Sequence, residues 1–372
     1  MSAPNLGHGP PGDRGAGSDA ETGSGVAAAT VSAVAVRGLW GLTWRRFARD
    51  RWSVAAGCLF AAIVLASFGG GPVASALVGH SGTDLFPYAA KGDALKPVGP
   101  WTHVPALHQA RTDQYGDLMP VPRTRSTLLV LGADGPLGRD ELLRLLDGGR
   151  TSLEIGLGAV LVALLLGVPL GCAAGYFGGV TDAVVSRLTE TVMAFPLILL
   201  LVFASVRLRG PLMTLAYGSV LPPGVVGVSL LIGIFTCFYP IRLVRAQLLA
   251  LREAEFVQAA QMIGASNLRI LRRHLLPHLV PLLLVWSAIA VATNMLLEVG
   301  ISFIGAGVQA STATWGSLLS TSWGTLFGPV TYDGTRNTPW QTVFPTLAIL
   351  LTVVSLNQVS EGVRRALDPP GR

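Results

Sequence analysis

Apolar residues in this chain of 372 amino acids fall into long unbroken runs rather than into short alternating strands or narrow helical stripes. A helix that crosses the hydrocarbon core of a bilayer needs about 20 consecutive, mostly apolar residues. Stretches of about that length, with no charge in their middle, occupy residues 52–77, 155–174, 188–206, 221–241, 279–297 and 342–360. The third begins beside Glu190, so five spans is the fallback. The pattern predicts an all-α integral membrane protein with six transmembrane helices.

Arginines orient those helices. Arg45, Arg46, Arg49 and Arg51 precede the first span, and basic residues concentrate on the cytoplasmic side of membrane proteins. With six spans the segment 242–278 is then cytoplasmic too, and it carries Arg242, Arg245, Arg252, Arg269, Arg272 and Arg273 against Glu253 and Glu255. Both termini are therefore expected inside the cell, in a multi-pass protein of the plasma or inner membrane. The long external segment, residues 78–150, holds eight basic and eight acidic residues, and long loops translocate largely regardless of charge. Trp52 and Trp340 sit at predicted span ends, where aromatic anchors belong.

Composition agrees with a bilayer as solvent: 51% of residues are hydrophobic, 13% are charged and the mean hydropathy is +0.54. The formal charge of +6 comes almost entirely from arginine, and these arginines flank apolar runs instead of forming an aromatic-interleaved patch, so nucleic acid is not an expected partner. Cys58, Cys172 and Cys237 lie inside apolar segments and imply neither disulfides nor a metal framework. Residues 1–38 are rich in Gly, Ala, Ser and Pro and poor in large apolar side chains, which predicts a disordered cytoplasmic tail. The organisation expected is that tail, an N-terminal anchor and first span over 39–77, an external segment over 78–150, a five-helix core over 151–364 and a cytoplasmic end over 365–372. The first span reads as a retained signal anchor. Residues 140–147, DELLRLLD, have leucines at helical spacing ahead of Gly148 and Gly149, which predicts a short amphipathic helix on the outer membrane surface or on the protein's own outer rim, with the glycines as its stop. Residues 79–128, with His80, His103 and His108, have no assignment beyond a surface insertion or an added contact.

The stretch beginning at Glu255, EFVQAAQMIGASNLRILRRHLLPHLVP, is the most informative. Phe256, Ala259, Ala260 and Ile263 recur at helical spacing, Gly264 can take the positive φ of a turn, and Ser266 can cap a second helix running to Pro277. The adjacent alanines predict a face without bulky side chains, over which another protein's groove could close. An ordinary membrane-surface hairpin is the alternative.

These residues resemble the cytoplasmic coupling segment of binding-protein-dependent ABC importer permeases, in the dipeptide, oligopeptide and nickel group. Gln258, Ala259, Ala260, Gly264, Ala265, Ser266, His274, Leu276 and Pro277 stand in the register of that family's pattern, with Gln258 where it often has Glu. The resemblance covers about residues 45–369. It includes Gly132, Asp134, Gly138, Arg139 and Asp140 ahead of the second span, with Ala133 where the family has Thr and one extra residue before Gly138. It continues through Gly175, Gly178, Gly179, Asp182, Arg187, Phe195 and Pro196, through Glu298, Ser302, Phe303, Gly305 and Gly307, and ends at residues 365–369. The resemblance implies the type I ABC importer permease fold. It also implies a coupling helix at 255–264 that docks on an ATPase, with Glu255 at its start and His274 and Pro277 beyond it. The partners it implies are a homologous second permease, two ATPase subunits that carry ATP and Mg, and an extracytoplasmic binding protein that delivers peptides or a related small solute, nickel complexes among them. The chain itself would bind no cofactor and hydrolyse nothing. Replacing Ala260 or Gly264 by a bulky charged residue is expected to abolish transport.

Single residues add less. Glu298, at the outer end of the fifth span, faces either a cavity or a helix-end ion pair. Asp182, Arg187 and Glu190 suggest a structural ion pair, Arg187 and Glu190 being at i, i+3. Pro196 and Pro240 should kink or end their helices, with a gating role open. His274 and His278 are one turn apart, but Pro277 lies between them and no third ligand is near, so no metal is expected. A secondary carrier driven by an ion gradient is the main alternative, but midplane carboxylates and broken paired helices are not evident. No Gly-Lys-Ser/Thr loop exists for an ABC exporter, and no catalytic constellation for a membrane enzyme.

Overall fold

The computed structural model of the protein describes residues 44–86, 90–91, 96–112, 118–135, 137–214, 224–308, 312–327 and 338–367. The expected disordered tail lies outside these residues. Met1–Arg46 and Phe47–Arg372 form separate units, and every element below belongs to the second.

Helix α1 (Arg51–Val78) starts on Asp50, whose carboxylate accepts from the Trp52 amide at 3.1 Å and the Ser53 hydroxyl at 2.8 Å. The Ser53 hydrogen bond holds the Asp50 carboxyl below the usual carboxylate range. Among the described residues six strands follow: β1 (Ala90–Lys91) with β2 (Lys96–Pro97), β3 (Thr102–Thr112) with β4 (Leu118–Leu129), and β5 (Ala133–Asp134) with β6 (Arg139–Asp140), each pair antiparallel. The β3–β4 ribbon occupies much of the unassigned segment. Pro105, Pro120 and Pro122 are tolerated there because each strand of a two-stranded ribbon has a free edge, and the register slips beside Pro105 and Leu107. At the ribbon's base, Val104 and Leu129 pack with Phe86, Val98 and Ala133 in a small core.

The remaining helices follow the strands. Helix α2 (Glu141–Phe177) follows β6, and then come α3 (Gly179–Met193), α4 (Leu197–Thr214), α5 (Val225–Thr236), α6 (Phe238–Leu251), the short α7 (Glu255–Met262), α8 (Asn267–Phe303), α9 (Trp315–Phe327) and α10 (Pro339–Leu367). Helices α1, α2, α8 and α10 are each long and apolar enough to cross a membrane; α3 with α4, bent by 89°, and α5 with α6, bent by 40°, are apolar enough as pairs, and the count rises from four to six if each bent pair is one span. The bends have local causes. Pro196 has no N–H to continue α3, and its carbonyl instead accepts the Leu199 amide at 3.0 Å to begin α4. Pro240 cannot donate to Thr236, so the helix breaks at Cys237. The expected third span over 188–206 is therefore two helices.

The expected surface helix at 140–147 is instead the first two turns of α2. Asp140 caps it, accepting from the amides of Leu142 at 2.8 Å and Leu143 at 3.2 Å, and Leu143 and Arg144 are buried. Gly148 and Gly149 do not stop the helix. A Cβ on Gly148 would lie 3.2 Å from the Thr314 backbone, and one on Gly149 would lie 2.5 Å from Ser67 Oγ and 2.7 Å from the Trp315 ring. These glycines are points of close approach. The preceding family-like residues brace the same end: Asp134 binds Arg144 at 2.5 Å and Arg139 at 3.2 Å, and His80 meets Asp140 at 2.9 Å.

Helix α2 is the central column. Gly167, Gly171 and Gly175, four residues apart, form a stripe on which α6 lies: a Cβ at these positions would come within 2.6 Å of Pro240, 2.8 Å of the Ile241 carbonyl and 2.8 Å of Leu248. Small residues at this spacing let helix backbones approach in a bilayer, where lipid removes the hydrophobic drive to associate. On the other flank α1 packs on α10, α10 on α8, and α9, too short to span, wedges between α8 and α10 with Trp315 and Leu318 buried.

Candidate functional site

Helix α7 is built to stand apart from the spans. It follows α6 after a three-residue turn and closes in a Schellman motif, in which Ala265 N–H donates to Ala260 at 3.0 Å and Gly264 N–H to Gln261 at 2.9 Å. The motif needs a left-handed residue, and Gly264 supplies it at φ +79°. Ser266 occupies the N-cap position of the next helix, but its side chain makes no capping bond. Pro277 lacks the N–H that would continue the ladder, and a π turn at Leu271–Leu275 precedes it and includes the half-buried His274. The Phe256 ring stacks on His278 at 5.3 Å, and His278 Nδ1 lies 2.6 Å from the His274 carbonyl.

The two alanines do not share a face, which corrects the expected bare patch. Successive helical residues lie about 100° apart. Ala260 turns inward, 5% exposed, with Val257 against Val244, Leu248, Ile270, Leu275 and Leu279, whereas Ala259 is exposed. The outward face is rich in large apolar groups, Met262 at 82% and Ile263 at 86% exposed, with Leu268 beside them. Gln258 donates its amide to the Glu253 carbonyl at 3.1 Å, while Glu255 is exposed.

Above α7, Asp182 on α3 and Arg245 on α6 form a two-pronged ion pair, with Arg245 Nη2 at 2.8 Å and Nε also bonded, and Ser186 donates to Asp182 at 3.2 Å. Arg187 and Glu190 pair as expected, at 3.3 Å on the surface. The partner of Asp182 is thus Arg245 and not Arg187, a contact between helices 63 residues apart that local spacing cannot reveal. Between α3 and α6 lies a cavity of about 430 Å³, whose walls include Ser186, Thr189, Glu190, Ala194, Arg242 and Arg245.

Glu298 is remote from that cavity. It is fully buried, with Ser302 Oγ at 2.6 Å, Ser152 Oγ at 3.1 Å and the Thr314 hydroxyl also donating to it. Ser152 in turn accepts the Trp315 amide at 3.2 Å. Among the described residues no cation pairs with Glu298, so the expected ion pair is replaced by hydroxyls that tie α2, α8 and the segment leading into α9. Glu298→Ala would strand these buried donors, at about 1–3 kcal/mol each. The melting temperature of the purified protein is expected to fall by several degrees, with Glu298→Gln between the two. An unchanged melting temperature in Glu298→Ala would show that the tie carries no stability.

Residues 167–370 match the family of binding-protein-dependent transport system inner membrane components. The chain belongs to this family. It is a permease subunit of an ABC importer, a multi-pass membrane protein and not an enzyme, and the ion-gradient alternative gains no support. The family match spans α3 to α10 with the last turns of α2, and so holds α7, the α3–α6 pair and Glu298 together. Among relatives, a dipeptide transport system permease protein of Alkalihalophilus pseudofirmus is 36% identical over 234 residues, 62% of this chain and 69% of that one. A glutathione transport system permease protein of Pectobacterium atrosepticum is 30% identical over 334 residues, 90% of this chain and 92% of that one. The methionine ABC transporter MetNI in inward-facing conformations aligns with 60% of this chain and 95% of its own at a TM-score of 0.43 and 21% identity.

Proposed function

We propose that this chain forms half of the translocation pathway of a peptide importer, and that α7 transmits the closure of ATPase subunits to it. The observation that carries the reading is the two-faced α7: an inner face locked into the protein by Val257 and Ala260, and an outer face of Met262 and Ile263 that has no internal role. Exposed large apolar groups beside a basic segment suit a protein groove better than water. Arg252, Arg269, Arg272 and Arg273 flank α7 in the sequence, which favours a cytoplasmic position for it. Asp50 and Arg365, 3.4 Å apart, would bring the first and last spans to that same side.

On this reading ATP and Mg belong to two partner ATPases, a homologous permease completes the pathway, and an external binding protein delivers the cargo. The family also takes other small solutes, and the names of the dipeptide and glutathione relatives favour a peptide here. Mild crosslinking and affinity purification from native membranes is expected to recover a second six-span protein and an ATPase with a phosphate-binding loop. A photo-crosslinker at position 262 should join this chain to the ATPase. Recovery of the chain alone, under conditions that keep other such complexes intact, would refute the reading.

A further inference from the structure

The charges of the cavity between α3 and α6 are arranged unlike those of a structural ion pair. Arg245 is already neutralised by Asp182. Two charged groups then remain on facing walls: Glu190 on α3, paired with the exposed Arg187 of its own helix and within the electrostatic reach of Arg245, and Arg242 on α6, exposed and in no ion pair with the described residues. Hydroxyls of Ser186 and Thr189 lie on the wall near them. One wall anion facing one wall cation suits a zwitterion better than a net anion or cation. The volume of about 430 Å³ lies within the range of roughly 300–1,000 Å³ of small-ligand sites.

Position adds to the argument. The cavity is flanked by both helix breaks, since Ala194 on its wall is two residues from Pro196, and the wall of α6 begins just after Pro240. Helix α6 leads into α7 through three residues, so a movement of α7 reaches Arg242 and Arg245 through one rigid element.

We propose that this cavity is a binding site on the transport path for the charged ends of a short peptide, with Arg242 taking the α-carboxylate and Glu190 the α-ammonium. The inference rests on the importer reading and assigns that reading a substrate subsite. Release then follows when movement of α6 separates the two walls.

The test uses the complex in nanodiscs, which open both membrane faces, with the exposed Cys58 changed to Ser and Ala194→Cys as a reporter labelled by a charged maleimide. Millimolar tri-alanine is expected to slow labelling at least fivefold and tri-alanine amide less than twofold. Protection should vanish in Arg242→Ala and partly return in Arg242→Lys. Because Arg242 is exposed, neither variant threatens the fold, and the comparison of acid with amide cancels differences in protein level. Equal protection by acid and amide would overturn the site. So would labelling slowed by phosphatidylglycerol in the disc but indifferent to peptide, which would mark a lipid headgroup site. Tri-alanine uptake by cells with and without the chain separates the two layers: uptake without protection sinks the cavity alone, and no uptake that depends on the chain sinks the peptide reading and the site with it.

Discussion

Met262→Glu combined with Ile263→Glu is expected to abolish transport while leaving the chain at its normal level in the membrane. Both side chains are more than four-fifths exposed, so charge there costs the isolated permease little. In a closed groove the same carboxylates lose their water without gaining partners, which costs several kcal/mol. At about 1.4 kcal/mol for each tenfold change in affinity, docking should weaken on the order of a thousandfold. Uptake, ATPase co-purification and membrane abundance read the result, and normal co-purification would remove α7 from the interface. Ala260→Glu is a poor version of this experiment, although the sequence alone nominates it. Its Cβ is buried against Val257 and the ends of α6 and α8, so the variant should lose transport by disordering α7. Gly264→Arg has open space around its Cβ but forces a side chain to φ +79°, and a partial loss of about 1–2 kcal/mol in local stability is expected.

Gly171→Leu is expected to remove the chain from the membrane altogether. Even the first added carbon would stand 2.8 Å from the Ile241 carbonyl and 2.9 Å from Val244 Cβ. Backbone cannot yield as a flexible side-chain tip does, so α2 and α6 would have to separate along the stripe from Gly167 to Gly175. Overpacking a core by single methylenes already costs about 1–3 kcal/mol, and a whole isobutyl group at a backbone contact exceeds that. Gly57→Leu is the control, because the nearest atom to its Cβ is Val359 Cγ2 at 3.9 Å. Immunoblots of membranes and the melting of the milder Gly171→Ala variant measure the effect. Equal abundance of the Gly171→Leu and Gly57→Leu proteins would show that α6 does not depend on this seam.

The four long spans were legible from apolar runs, because crossing a bilayer imposes a length that a linear chain displays directly. Pro196 and Pro240 were legible as breaks for an equally local reason, the missing amide. The stripe of Gly167, Gly171 and Gly175 is written in the sequence as small residues four apart, but hydropathy alone does not distinguish it from the rest of its apolar run. The ribbon β3–β4 was hard to see because its prolines and slipped register blur the alternation that announces a strand.

What the sequence by itself determined is the membrane as solvent, the long apolar spans, the places where helices bend and the short helix α7 closed by Gly264. Each follows from chemistry that acts between residues near one another in the chain. Only the tertiary structure decided that Ala260 faces inward while Met262 and Ile263 face out, that Asp182 answers to Arg245, that Glu298 is held by hydroxyls from three elements, and that Glu190 and Arg242 share a cavity. Those outcomes depend on which helices lie side by side, and a side chain's distant partners leave no mark on its own neighbourhood of sequence.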